Sequence, residues 1–341
     1  MKRIRDGLTA VILGGALVAL AVPAVAQDVV LRYSNWLPSG YPLHERAMKP
    51  WLEDIEKVTE GRVKVTISPK VVGTVPGQYD VAADGLADIT LFLPGYTPGR
   101  FPLMDGLDLP FMGNNTAERC PATWRAYEKF IAPLGEFEEV KALSVYCANS
   151  GQIAMVEDRI ETMEDMAGKK IRSPSDAISQ ALTSMEATPV SKPASELYEL
   201  ANGGVIDGAI FPLDSVVGFN LQGVLKTVTY MPGGFNNSMV LIAMNPAAWD
   251  RISEADQAAI MDISGEALAA RVGNMLTETL AEACETLTSN GVEIYEPDQA
   301  LVDAMEAAAA PAREDWIERA KAAGMEDPQA MIDYMAQEVS G

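Results

Sequence analysis

Beyond Gln27 the chain alternates, with Val29, Leu31 and Tyr33 separated by Val30, Arg32 and Ser34, the period of a strand entering a core. Asn35-Trp36-Leu37-Pro38-Ser39-Gly40 then reads as a loop. A helical pattern follows through Ala47, Trp51, Ile55 and Val58, beginning or bending at Pro50 and closed by Gly61. Val63, Val65 and Ile67 alternate again. The unit recurs: a short helix over 78–84 stops at Gly85, and an apolar strand over 88–93 ends at Pro94-Gly95. Further strands are expected over 140–146, 169–172, 208–211 and 239–244, with helices between most of them. Strands alternating with helices predict parallel or mixed sheets covered on both faces, an α/β fold.

The C-terminal third differs. From Ser253 towards Gly291 the residues Met261, Leu268, Val272, Met275, Leu276 and Ala283 form one apolar stripe without a proline. Ile260 and Ile263 lie off it, and Gly265 and Gly273 weaken the pattern, so a bend is expected near Gly265. A helix this long suits bridging two domains. The segment 298–341 reads as helical, rich in Ala and Glu, interrupted at Pro311 and Pro328. The strand placement predicts residues 27–149 with 237–279 as one unit and 150–236 with 280–341 as the other.

The N-terminus predicts the compartment. Met1-Lys2-Arg3-Ile4-Arg5 is basic, 8–22 is mostly apolar, and Ala24-Val25-Ala26 is a small-x-small cleavage site, the pattern of a secretory signal peptide. The apolar run is shorter than the roughly 20 residues a bilayer span needs. The mature chain is therefore expected to start near Gln27 and to be exported to the periplasm. About 315 residues remain, which argues for two domains.

The formal charge is −22, and removing Lys2, Arg3, Arg5 and Asp6 with the signal makes it two units more negative. Such a surface repels phosphates, so nucleic acid is excluded as a partner. Cys120, Cys147 and Cys284 show no CxxC spacing, and His44 is the sole histidine, so neither a zinc site nor a Ser-His-Asp triad is expected. No cofactor is implied. One disulfide is permitted by the compartment, but the sequence leaves its pairing open.

In open parallel sheets a ligand sits beyond the carboxyl ends of the strands. Asn35-Trp36, Leu93-Pro94, Arg172 and Phe211-Pro212 all fall at such ends, so two facing sheets would gather them in one crevice. Arg172 stands in Lys169-Lys170-Ile171-Arg172-Ser173-Pro174, after a short helix that Thr162 caps and Gly168 stops. A guanidinium there either lies on the surface beside the two lysines, as most arginines do, or offers two parallel donors to a carboxylate and stays charged when desolvated. Trp36 would either stack on a ligand or plug the core, and Asn35 would bond the ligand. Tyr96 and Arg100 would either line the mouth of the crevice or, as the Pro- and Gly-set loop favours, sit in a turn that simply returns the chain. Phe235-Asn236-Asn237 precedes a strand and reads as a connection that reaches the crevice at Asn236.

The chain resembles the periplasmic solute-binding proteins of tripartite ATP-independent periplasmic (TRAP) transporters, the dicarboxylate-binding-subunit family. The likeness spans the mature chain. It is carried by Thr59-Glu60-Gly61-Arg62-Val63-Lys64-Val65, Asp84-Gly85-Leu86-Ala87-Asp88-Ile89, Phe101-Pro102 with Leu109-Pro110-Phe111, Gly168-Lys169-Lys170-Ile171-Arg172-Ser173-Pro174, Ser195-Glu196-Leu197-Tyr198 and Val205-Ile206-Asp207-Gly208. The resemblance implies two α/β domains joined by crossing strands and a long helix, closing on one ligand whose carboxylate Arg172 holds. It also implies integral membrane subunits of a TRAP transporter as partners. A monomer is expected.

Three departures refine the expectation. Where some family members carry a second arginine, this chain has Gln152; where members selecting very polar ligands have Asn, it has Phe211; where some have an acid, it has Leu93. One charge with apolar walls predicts a compact monocarboxylate, such as a 2-oxo, 2-hydroxy or aromatic acid, read by Arg172, Phe211, Gln152, Trp36, Asn35, Leu93 and Asn236. The chain is thus expected to be a binding protein and not an enzyme. The alternatives are an exported α/β hydrolase or lyase, for which no catalytic constellation can be named, and a binding protein of an ATP-driven importer.

Overall fold

A computed structural model describes residues 28–339, so the expected signal segment lies outside the described residues. The strands are β1 (Val29–Ser34), β2 (Val63–Ile67), β3 (Ile89–Phe92), β4 (Lys141–Cys147), β5 (Gly151–Met155), β6 (Lys170–Ser173), β7 (Thr188–Ser191), β8 (Gly208–Pro212), β9 (Thr227–Thr229), β10 (Met239–Met244) and β11 (Glu293–Tyr295). They form a sheet ordered β2-β1-β3-β10-β4 and another ordered β11-β9-β5-β8-β6-β7, with helices around both. The α/β class follows the alternation in the sequence. Of the two arrangements expected, both sheets take the mixed one: β10 runs against β3 and β4, and β5 runs against β8 and β9. The strands that carry the chain out of one sheet and back from the other produce this, because each enters its new sheet in the reverse sense.

Burial follows the pattern that built the strands. In β1, Val29, Leu31 and Tyr33 are buried while Val30 and Arg32 are exposed. The interior strands β3 and β10 are buried throughout, as strands covered on both faces are. In β2, an edge strand, Val63 is buried and Ile67 is exposed. The second sheet separates its faces by the two-residue period: Ile153, Met155, Ile171 and Ile210 pack in one cluster, Ala154, Ala209, Phe211 and Val228 in the other.

The bend near Gly265 is a full break. One helix covers Glu254–Asp262, and a 25-residue helix covers Gly265–Ser289. Gly265 has φ +48°, a left-handed conformation that side chains resist, and an added Cβ would lie 3.0 Å from the Trp124 ring. The long helix packs Leu268, Val272 and Leu276 on the first-sheet core, then Ala283 and Leu287 on the second.

Two expectations for the C-terminus change. Pro311 does not interrupt the helix Gln299–Ala322, although Pro328 does begin the last one, Pro328–Val339. Pro311 and Ala307, whose carbonyl loses its partner, are both exposed, so water can replace the missing bond. The segment after 280 also does not stay with the second sheet: Leu301, Val302 and Met305 pack there, whereas Trp316, Ala320, Met331, Ile332 and Met335 join the first-sheet core. The apolar face that the first sheet leaves beside the turn Met104–Leu107 takes Trp316, whose Nε1 donates to the Pro102 carbonyl at 3.0 Å. Cys120 and Cys147 form a disulfide and Cys284 is a half-buried free thiol.

Candidate ligand-binding site

Arg172 reaches its place by a local chain of causes. The one-turn helix Met163–Met166 is capped chiefly by Asp165, which accepts from the Thr162 amide at 2.8 Å. Gly168 then turns the chain at φ +73° and β6 begins at Lys170. Register with β7 and β8 pairs Arg172 with Val190 and Ala209, which carries the side chain inside the molecule, where the residue is 1% exposed.

There the guanidinium has only neutral acceptors. Nε donates to the Lys192 carbonyl at 2.7 Å, Nη1 to the Ile210 carbonyl at 3.2 Å and Nη2 to the Tyr96 hydroxyl at 3.4 Å. No carboxylate among the described residues lies within ion-pair distance, and desolvation lowers its pKa. A buried charge in this condition is costly unless an anion joins it. Asp108 is the acid whose field reaches both Arg172 and a second buried arginine, Arg119. Burial pushes Asp108 up to about 6. Arg119 is committed elsewhere, donating to the Met112 and Leu107 carbonyls at 2.7 Å each, and burial brings it down to about 10.

Arg172 lies on a cavity of about 60 Å³ between the two sheets. Five aromatic rings stand among the other, mostly apolar walls. Trp36, Tyr41 and Tyr96 come from the first-sheet side, Phe211 and Phe219 from the second. Phe219 meets Phe211 at 5.8 Å and Tyr41 at 5.4 Å between ring centroids, both edge-on, and Trp36 lies 6.3 Å from Tyr96. The Arg172 guanidinium stands 5.5 Å from the Phe211 ring centre. Tyr41 and Ser215 join across the gap by a 2.7 Å hydroxyl bond. Tyr41 also covers Gly218, where an added Cβ would be 2.4 Å from its ring.

Of the residues expected from sequence, Arg172, Phe211, Trp36, Leu93 and Asn236 line this cavity. Trp36 lines the cavity, packs against the first-sheet core and donates its Nε1 to the Leu91 carbonyl at 2.8 Å. Gln152 and Asn35 are not in its lining. The Gln152 oxygen accepts from the Met231 amide at 2.7 Å, and Asn35 closes its own loop through the Leu37 amide and carbonyl at 3.1 and 3.3 Å. Asn236 gives its amide to Asp108 at 2.7 Å. Sequence reasoning missed Tyr41, Ser215 and Phe219, and favoured a returning turn for Tyr96; the Pro-Gly signal at Gly95 described the backbone and said nothing about where the ring would lie.

The two crossing segments pair beside the cavity. Gly151 donates to the Asn236 carbonyl at 2.8 Å, and a Cβ on Gly151 would fall 2.1 Å from Asn236 Oδ1 and 2.9 Å from an Ile210 methyl. Gly151→Ala is therefore expected to lower stability by about 1–3 kcal/mol in urea denaturation, through overpacking and displacement of the Asn236 amide from Asp108.

A larger groove, about 800 Å³, lies apart from Arg172, between the helices Asp176–Ser184 and Gln299–Ala322. Its cation, Arg319, is already paired with Asp105 at 2.8 Å and Asp315 at 2.7 Å. Among the described residues no helix is long and apolar enough to cross a membrane, and no group of acids, histidines and cysteines could hold a metal.

Known proteins give this arrangement its context. A TRAP periplasmic solute-binding protein from Bordetella bronchiseptica, solved with bound (R)- and (S)-mandelate, is 32% identical with a TM-score of 0.87, covering 91% of this chain and 98% of that one. A marine-metagenome TRAP solute-binding protein specific for aromatic acid ligands, solved with metahydroxyphenylacetate, is 28% identical with a TM-score of 0.86, covering 92% and 99%. The outer membrane transporter protein TsaT of Comamonas testosteroni is 28% identical over 323 residues, 94% of each chain. Residues 33–319 match DctP, the bacterial extracellular solute-binding protein family 7, and the chain belongs to that family.

Proposed function

We propose that this chain is the extracytoplasmic receptor of a TRAP transporter, binding an aromatic or similarly compact apolar monocarboxylate and delivering it to the integral membrane subunits. The observation that carries the reading is the buried Arg172 guanidinium without an acidic partner, set in a small cavity with five aromatic rings in its walls. An anion completes the charge, and a planar apolar body suits the rings. The mandelate- and metahydroxyphenylacetate-binding relatives support this class.

Within this reading Arg172 holds the carboxylate, while Phe211, Trp36 and Leu93 pack on the ligand body. Asn236 faces its polar edge, and Gln152 and Asn35 act indirectly by fixing the 231 and 37 segments. The binding unit is two lobes, 27–149 with 237–279 and 150–236 with the chain beyond 280, except that the C-terminal part from Trp316 rides on the first lobe. The mature protein starts at or near Gln27 after cleavage behind Ala26, which N-terminal sequencing of envelope-fraction protein tests.

A second carboxylate on the ligand would be buried beside apolar walls without a counter-charge. Mandelate or benzoate is therefore expected to bind at least a hundredfold more tightly than succinate, since an unpaired buried charge costs on the order of 3 kcal/mol or more. Glucuronate, with one carboxylate, is expected to bind more weakly than either because its hydroxyls would leave water for apolar walls. Calorimetry on a matched panel at one salt concentration measures this. Tighter binding of succinate or glucuronate than of both mandelate and benzoate would sink the ligand assignment.

A further inference from the structure

Tyr96 ends the turn Pro94–Tyr96, which follows β3 in the first sheet, yet its hydroxyl is engaged entirely by the second-sheet side. The oxygen accepts from Arg172 Nη2 at 3.4 Å and from the Ala194 amide at 3.1 Å. A phenol oxygen has room for two donors and carries one proton of its own. With both acceptor positions filled, that proton remains available to a third group, and among the described residues no hydrogen bond takes it. Tyr96, Arg172 and Ala194 all line the cavity.

The placement of this hydroxyl is built into the backbone around it. Gly95 lies so close to the second-sheet side that a Cβ would be 2.6 Å from the Pro174 carbonyl and 2.8 Å from Ser175 Cβ. The Gly99 amide donates to Asp176 at 2.8 Å. The turn thus grips the stretch that follows Arg172 at both of its ends, and sets the phenol beside the guanidinium.

We infer that Tyr96 is a positioning and affinity-determining residue whose O–H donates to the carboxylate held by Arg172, so that the anion is bound by donors from both sheets at once. This rests on the reading of the cavity as a carboxylate site. Because the bond exists only when the turn is seated against 172–176, it holds the closed form together and acts on ligand release.

The test compares wild type with Tyr96→Phe, which keeps the ring beside Trp36 and over Arg172. Mandelate and benzoate affinities are measured by calorimetry, release rates by stopped flow, and melting of the unliganded protein in parallel. The expected result is a loss of affinity of about tenfold to a hundredfold, the range for a hydrogen bond to a charged group, carried by faster release with little change in unliganded melting. A loss below fivefold overturns the inference. So does a loss matched by an equal fall in unliganded stability, which would make the hydroxyl a strut for Arg172 and Ala194 alone. If wild type binds neither acid nor any other member of the panel, the functional reading fails first and this inference falls with it; binding by wild type that Tyr96→Phe retains removes the Tyr96 role only.

Discussion

Arg172→Ala is expected to weaken mandelate or benzoate binding by about two to four orders of magnitude, the equivalent of roughly 3–5 kcal/mol for a buried charge left without its partner. In the variant a ligand carboxylate would enter the cavity against Phe211, Trp36 and Leu93 with no cation to meet it. Arg172→Lys should recover part of the loss, because an ammonium restores the charge but not the fork, and it cannot replace three donor bonds aimed at Lys192, Ile210 and Tyr96. Calorimetry on the three proteins, with urea unfolding of each in the absence of ligand, separates a site effect from a folding effect. Wild-type affinity in a folded Ala variant would remove Arg172 from the site.

Trp316→Ala should cost about 3–5 kcal/mol of stability, the range for deleting a large core aromatic. The side chain is fully buried and its indole donates to Pro102. It lies so near the turn below it that a Cβ on Gly106 would be 2.1 Å from the ring. Denaturant unfolding monitored by circular dichroism gives the value. A loss under about 1 kcal/mol would mean that the C-terminal helices add little to the first-sheet core.

Most of the interior strands were legible because burial on one or both faces leaves a regular mark, as in Val29-Leu31-Tyr33 or the apolar run of β10, but β5, which opens on Gly151-Gln152 in the middle of the second sheet, was missed. Strands β7, β9 and β11 left no such mark: they are three or four residues long, and β7 and β11 lie at sheet edges, where half the side chains face water and even Pro189 is tolerated. At the site, strand ends brought Arg172, Phe211 and Leu93 to the crevice, while the carboxylate-holding role expected of Arg172 came from the family resemblance. Gln152 was misplaced because its strand identifies the neighbourhood but not which group the amide bonds, and the Met231 backbone claimed it. Tyr41, Tyr96 and Phe219 sit in or beside turns, where no periodicity tells a ring that faces a cavity from one that covers a surface. The Cys120–Cys147 pairing depended on bringing a helix over β4, a long-range contact that spacing cannot encode.

Pro311 stands at an informative place along its helix. Ala309 still belongs to the second-sheet core and Trp316 to the first, so the continuous rod Gln299–Ala322 passes from one body to the other across this proline. The 25-residue helix Gly265–Ser289 makes the same passage with its backbone ladder free of proline. Any movement that parts the two bodies must therefore flex two rods, as a pair of leaf springs. The one with Pro311 yields more easily, because one backbone bond is already absent there. Unequal stiffness on the two sides turns a simple parting into a parting with a twist. Because β1 and the helix Pro328–Val339 both pack on the first-sheet core, labels at Val30 and Asp333 would ride together and report none of that motion.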